Sequence, residues 1–483
     1  MITARARKPK SGKVARRRGP VAIGAAGALV GLLAVAPASA GAAPAAGSAR
    51  IVYQVHPIAI QANASASAAG LSPASCIASF GLACYDPQIL HTAYQVPWTI
   101  DGQLAGTGEQ VAIIDAFGSP TVASDLATYD AAFGLPPADL HVYYPDGKPA
   151  YNPRQHAGET GWAEETSLDV QTVHDLAPGA RINLVVASSP NGNDLNVAER
   201  YAVENHLGDV MSMSFGTPEA AIAGAGNNLQ LQQANAVYEQ AAAEGIGVFA
   251  SSGDSGATAG YPTTNASFPA SDPYVTAAGG TDLFVKADYS SNPDSTDGTY
   301  VSETAWNDSD PATCPFGCED GVFGATGGAY SSVFPAPSYQ ADLTGQTMRS
   351  TSDVAFNASV YTSTLIYLGF LGGSSNGFYF FGGTSEASPS WAAITADLDQ
   401  AAGRSLGQMN PILYGLASNP STYAADFHNV TVGNNQDPYP SAPGFAAGTG
   451  YNLPTGLGTP IVSGLIGSLG ASGTMLGYTQ PSS

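Results

Sequence analysis

Basic side chains are scarce in this 483-residue sequence, where 16 Lys and Arg stand against 38 Asp and Glu. Eight of those cations (Arg5, Arg7, Lys8, Lys10, Lys13, Arg16, Arg17 and Arg18) fall among the first 40 residues. The rest of the chain therefore carries eight basic and 38 acidic residues, a formal charge of −30. Phosphate backbones and anionic lipid heads need clustered Lys and Arg, and this composition repels both. Nucleic acid is excluded as a partner. Cysteine is also rare: Cys76 and Cys84 form one close pair, Cys314 and Cys318 another. Neither pair has the His or Cys companions that a zinc centre requires. Long apolar runs are missing except for Val21 to Ala36, which is short of the ~20 residues a membrane span needs.

That one apolar run follows a basic stretch and precedes Pro37-Ala38-Ser39-Ala40, the three-part form of a secretory signal peptide, residues 1–40. Export makes the cysteines readable as two local disulfides formed in an oxidising compartment. Surplus carboxylates repel one another at neutral pH and fall silent when protonated, so the −30 charge suits an acidic medium. Apolar residues make up 44% of the chain and aromatics 9%, enough to bury a large core despite 57 Gly and 34 Pro.

Residues 41–84 are rich in Ala and Ser around one apolar stretch, Ile51 to Ile60. They read as a short N-terminal segment or a reduced propeptide. An α/β domain follows over 85–470, with a tail at 471–483. Its strand-like runs are Gln110 to Asp115, Arg181 to Ala187, Asp209 to Ser214 and Gly247 to Ser251; helix-like stretches include Thr160 to Leu176 and Asn227 to Glu244. Near-continuous apolar strands alternating with helices predict a parallel sheet flanked by helices on both faces. The stretch from about Asp282 to Tyr361 reads as loop-rich, punctuated by Gly and Pro.

Three segments carry chemistry. Gly382-Gly383-Thr384-Ser385-Glu386-Ala387-Ser388-Pro389 enters an apolar helix-like stretch, and would set the Ser385 hydroxyl at a helix start, beside N–H groups and a positive dipole end. An N-cap serine followed by a helix-start proline explains the same residues without chemistry. Glu165 and Asp169, four apart, share one helical face; such a pair holds one proton between them, with one pKa raised. A solvated acidic face is the plainer account of that spacing. Asp254, in the glycine-rich turn Ala250 to Gly256, is by itself an ordinary turn former.

Together the three segments resemble the sedolisin family, the serine-carboxyl peptidases of subtilisin-like fold. Ser212-Met-Ser-Phe-Gly216, Tyr274 to Thr281, Glu303 to Asn307, Gly327-Gly328 through Gln340, and Asp353-Val354 follow the family pattern in order, from about Tyr85 to Pro460. The resemblance implies Ser385 as nucleophile, Glu165 as general base, Asp169 as the acid bonded to that base, and Asp254 as the oxyanion's proton donor. It also implies one structural calcium ion, held by Asp426, the Phe427 carbonyl, the Gly448 and Gly450 carbonyls and Asn452. Asn452 replaces the family's usual aspartate, and weaker calcium binding is the expectation. Fewer than 50 residues separate the signal cleavage point from the first matched position, where the family commonly carries a long folded pro-domain.

The sequence thus predicts a secreted, acid-acting endopeptidase, monomeric, working on protein or peptide substrates and free of the membrane once the signal is removed. A bell-shaped acidic optimum follows if Glu165 must be ionised while Asp254 stays protonated. A histidine-based subtilisin-like enzyme would instead need Asp115 and a His-Gly-Thr helix start; His156-Ala157-Gly158 is the nearest match. An inert exported protein on the same fold, and a glycoside hydrolase using the Glu165/Asp169 pair, are the remaining alternatives.

Overall fold

Val111-Ala112-Ile113-Ile114 is buried throughout, with Val111 and Ile113 in one apolar cluster and Ala112 and Ile114 in another. Successive side chains of a strand face opposite ways, so a strand covered on both sides needs a continuous apolar run. The computed structural model describes residues 51–55, 57–154, 158–224, 228–287, 296–308, 324–436 and 442–470, within the unit Ser48–Ser483. The expected signal peptide, the tail 471–483, His56, His156, Cys314 and Cys318 lie outside the described residues.

The main sheet has eight strands: β1 (Gln110–Ala116), β2 (Asp139–Tyr143), β3 (Arg181–Ala187), β4 (Val210–Met213), β5 (Gly247–Ser251), β6 (Thr276–Ala287), β7 (Thr296–Ala305) and β8 (Val354–Asn357). Their order is β7-β6-β5-β4-β1-β3-β2, with β8 also paired to β6. Every pairing is parallel except β6 with β7. One face packs against α1 (Glu159–Leu176) and α4 (Thr384–Ala402), the other against α2 (Gly192–Glu204) and α3 (Asn228–Ala243). The predicted architecture is therefore present. Strand order reverses around β4 and β1, so the carboxyl ends of β4 and β5 open beside the starts of α1 and α4. In open α/β sheets that is where sites form.

The loop-rich reading of 282–361 is corrected by the structure. That stretch holds half of β6, all of β7 and β8, and a hairpin of Tyr330–Pro335 with Met348–Ser350. β7 closes one edge of the sheet, and its Thr299, Val301 and Ser302 are exposed. Alternating, partly wet strands carry no long apolar run to announce them.

A second sheet joins Ile58–Gln61, Gly377–Gly382, Thr362–Leu368 and Ala83–Tyr85 in that order. The segment before Tyr85 is thus woven into the body. Pro73–Phe80 is a helix, capped by reciprocal Ser72 and Ser75 hydrogen bonds, and Cys76–Cys84 form a disulfide that ties it to the second sheet.

Candidate active site

Ser385 is the second residue of α4, after the N-cap Gly383 and Thr384. It is therefore inside the first turn and is not the N-cap that the plainer account required. Gly383 has φ 136°, and a Cβ there would stand 3.0 Å from Asp254 Oδ2; only glycine suits both the left-handed backbone and the close approach. Pro389, likewise not at the helix start, lies four residues after Ser385 within α4. Proline has no N–H, so it leaves the Ser385 carbonyl without its intrahelical donor. The Ser214 hydroxyl, just past β4, takes that place at 3.1 Å.

The same hydroxyl donates to Asp169 Oδ1 at 2.8 Å, so its single proton is shared between the acid and the serine's backbone. Asp169 and Glu165 project from α1, both wholly buried. Burial, then the Asp169 charge, push the Glu165 pKa well up, and the neighbouring Ser385 hydroxyl offsets part of the rise. The geometry stops short of a formed bond, since neither Glu165 oxygen has a hydrogen-bond partner among the described residues. Asp169 is likewise raised, by burial and then by the Asp115 charge, against the Ser214 bond. Asp115, near the end of β1, is itself buried and pushed up to about 7, with only the nearby Thr166 hydroxyl favouring its charged form. Three carboxyls thus share a water-poor interior in which full ionisation is prohibitive.

Asp254 follows β5. Its Oδ1 accepts the N–H and the hydroxyl of Thr384, each at 2.7 Å, and its Oδ2 faces Gly383. The four residues singled out from sequence are therefore brought to one place. The resemblance placed Ser214 only within a substrate-lining strand and gave no role to Thr384 or Thr166; the signal that could have found the Ser214 bond was the proline four residues after Ser385.

The described histidines are engaged elsewhere. His91 contacts the Val96 and Asp175 carbonyls, His174 the Pro136 carbonyl, His141 Asp139 and His206 Glu244; His428 stacks on Tyr300. Asp115, the acid of the histidine-based reading, has carboxyl neighbours instead.

Residues 150–411 match the subtilase family. The chain is 34% identical over 392 residues to kumamolisin of Bacillus sp. (strain MN-32), covering 78% of this chain and 62% of that one. It is 31% identical over 384 residues to sedolisin of Pseudomonas sp. (strain 101), covering 76% and 59%. A solved structure of Pseudomonas sedolisin, a serine-carboxyl proteinase complexed with two molecules of pseudo-iodotyrostatin, superimposes with a TM-score of 0.67 at 28% identity. It covers 81% of this chain and 99% of that chain. The chain belongs to the subtilase family, in its sedolisin branch. It spans about six-tenths of the length of these two curated relatives.

The sedolisin pattern implied a calcium ion, and the residues at that place do not fit one. Asn452 Oδ1 accepts from the Thr455 N–H and hydroxyl at 3.1 and 2.9 Å. A backbone N–H can only donate, which fixes the amide orientation. Nδ2 then donates to the carbonyls of Val430, Gly448 and Gly450 at 3.2, 3.2 and 3.4 Å. Carbonyl oxygens expected to face a cation are met by N–H groups. Asp426 is the one carboxylate of the set; its Oδ1 accepts from Ser468, while its Oδ2 is buried without a partner. A hard cation asks for several oxygens and more charge than one carboxylate. No His, Cys, Asp or Glu group of three or more gathers at metal distance among the described residues.

Proposed function

We propose that the chain is a secreted, acid-acting serine-carboxyl endopeptidase that hydrolyses protein or peptide substrates. The observation that carries this reading is the convergence on Ser385 of two separate acid systems. On one side Asp169 is joined to the Ser385 carbonyl through Ser214, and Glu165 stands near the Ser385 hydroxyl. Asp254 stands in front, held by Thr384.

In this reading Ser385 Oγ attacks the scissile carbonyl while its proton passes to Glu165, giving a tetrahedral intermediate. Asp254, protonated on Oδ2, donates to the oxyanion, and Oδ1 stays committed to Thr384. The α4 N-terminus adds N–H groups and a favourable dipole. Glu165 returns the proton to the leaving amine, an acyl-enzyme remains on Ser385, and water repeats the sequence in reverse. A single negative charge shared by Glu165, Asp169 and Asp115 supplies the base. The rate then rises with pH as that charge appears and falls as Asp254 loses its proton.

The signal-like residues 1–40 support export, and no helix of the described residues is long and apolar enough to cross a membrane. The test is cleavage of an unfolded protein from about pH 2.5 to about 8 beside the Glu165→Gln variant. A peak in acid that disappears in the variant is expected. A peak above neutrality that survives in the variant would move the base to a histidine.

A further inference from the structure

The first turn of α4 is weakly held by its own helix. The leading N–H groups of any helix have no intrahelical acceptor, and Pro389 takes away the donor that the Ser385 carbonyl would have. Three consecutive side chains of this turn, each about 100° from the last, are tied to different parts of the body. The Thr384 hydroxyl donates to Asp254 beyond β5 at 2.7 Å. Ser385 faces Glu165 of α1. Glu386 turns inward and is wholly buried. Its Oε1 accepts from the Thr364 hydroxyl at 2.5 Å and from the Asn357 amide at 3.4 Å.

A glutamate three places past an N-cap commonly reaches back to the N–H of the cap. Here the Gly383 N–H is already given to the Ala358 carbonyl at 2.6 Å, and the Glu386 side chain forms a bridge instead. Thr364 belongs to the second sheet, in Thr362–Leu368, and Asn357 ends β8. Asn357 is itself fixed: its Nδ2 donates to the Thr362 carbonyl at 2.7 Å, and its Oδ1 accepts the Thr362 hydroxyl at 2.9 Å. The Asn357 N–H donates to the Tyr94 hydroxyl at 3.0 Å, and that hydroxyl donates to Glu303 of β7 at 2.7 Å. The chain of bonds runs from the residue after Ser385 to the edge of the main sheet.

An apolar side chain would fill this interior at less cost, because a buried carboxyl loses its water and Oε2 has no partner among the described residues. Burial pushes the Glu386 pKa up to about 8, with the Thr364 and Asn357 bonds offsetting part of the rise. The groups its charge would meet include Tyr94, Tyr129 and Asp175, all buried. In acid the carboxyl is therefore neutral. We propose that Glu386 is a positioning residue for the hydrolysis: through Thr364 and Asn357 it fixes the rotation of the first turn of α4, and with it the place of Ser385 Oγ between Glu165 and Asp254. This rests on the peptidase reading and deepens it. A reacting group displaced by about 1 Å loses about 100-fold in rate, so an anchor one residue from the nucleophile bears directly on turnover.

The test compares the parent chain with Glu386→Gln, which keeps an oxygen for Thr364 and Asn357; Glu386→Ala, which keeps none; and Thr364→Val, which removes the hydroxyl at nearly constant shape. On a fluorogenic peptide in acid, Glu386→Ala and Thr364→Val should lower kcat by about tenfold or more with KM within about twofold, and Glu386→Gln should recover most of the loss. A second readout uses the Ser385→Ala background, which cannot digest itself. There the Thr384 and Glu386 amides, bonded to Asp254 Oδ1 and the Gly383 carbonyl, should exchange about tenfold faster with Glu386→Ala than with Glu386→Gln or the native glutamate. If Glu386→Ala fails to fold, Thr364→Val and Glu386→Gln carry the same decision. Variants that melt lower yet keep the parent kcat would reduce Glu386 to packing and overturn the proposal, as would a Glu386→Gln chain no faster than Thr364→Val. Amide exchange in the expected order, in a chain that cleaves no substrate, would keep the anchor and sink the peptidase reading.

Discussion

Asp254 Oδ1 accepts both the N–H and the hydroxyl of Thr384, each at 2.7 Å. Two donors on one oxygen fix the orientation of the carboxyl, whose Oδ2 stands against Gly383 and in the proposed reading donates to the oxyanion. Asp254→Ala should lower kcat by about 10²–10³, the usual cost of one oxyanion donor. Asp254→Asn can keep the Thr384 bonds through its oxygen and offer an N–H that does not titrate. It should lose less than the alanine variant and flatten the alkaline limb of the pH–rate profile. An Asn variant with an unchanged alkaline limb would assign that limb to another group.

Ser385→Ala and Glu165→Gln should each reduce turnover by about 10³-fold or more, as loss of a nucleophile or its base does. Both substitutions are close to isosteric at buried positions, so thermal melting should still show one cooperative transition. Turnover within tenfold of the parent would remove either residue from its role.

Asp115 adds its charge to the burial that raises Asp169, and contributes to the rise at Glu165. Asp115→Asn removes a like charge, so the remaining pair ionises at lower pH. The acidic limb of kcat/KM should move downward, with the alkaline limb unmoved. An acidic limb that stays in place would confine Asp115 to packing.

Buried acids make stability depend on pH in a definite direction. Burial pushes Glu199 and Glu303 up to about 7 and Glu386 up to about 8; hydrogen bonds at each offset only part of the rise. Between about pH 4 and these values the native chain binds more protons than the unfolded one, so stability falls as pH rises. The contribution is complete below the unfolded carboxyl range and is lost by about pH 8, at roughly 1 kcal/mol per group per pH unit. Melting of Ser385→Ala, which avoids self-digestion, should give its highest Tm in acid and a steady decline toward pH 8. A Tm that rises over that interval would show these groups ionised in the fold.

The Asn452 amide donates to the Val430, Gly448 and Gly450 carbonyls, so chelators should leave the Tm of the parent chain unchanged. Asn452→Asp places a carboxylate oxygen against three carbonyls. That variant should melt lower in chelator and recover on adding calcium. A calcium-dependent Tm in the parent would restore the ion that the resemblance implied.

Much of this molecule was legible in its sequence because its chemistry is concentrated in local strings. Gln110 to Asp115 and Gly247 to Ser251 announce buried parallel strands by unbroken apolar runs, and helical periodicity put Glu165 and Asp169 on one face, while their roles came only from the resemblance. What stayed hidden depended on contacts between distant segments. The Ser214 hydroxyl matters because Pro389 frees the Ser385 carbonyl, a relation across 171 residues. β7 was missed because it is an edge strand with wet positions between buried ones. The Asn452 substitution was visible, but the direction of its amide was set by Thr455, and only that direction decides whether oxygens or hydrogens meet the carbonyls.

Ile58–Gln61 pairs with Gly377–Gly382, the strand that runs straight into Gly383 and α4. A chain begun at Tyr85 would leave that strand with a bare edge, so residues 58–84 belong in any expressed form meant to fold around Ser385.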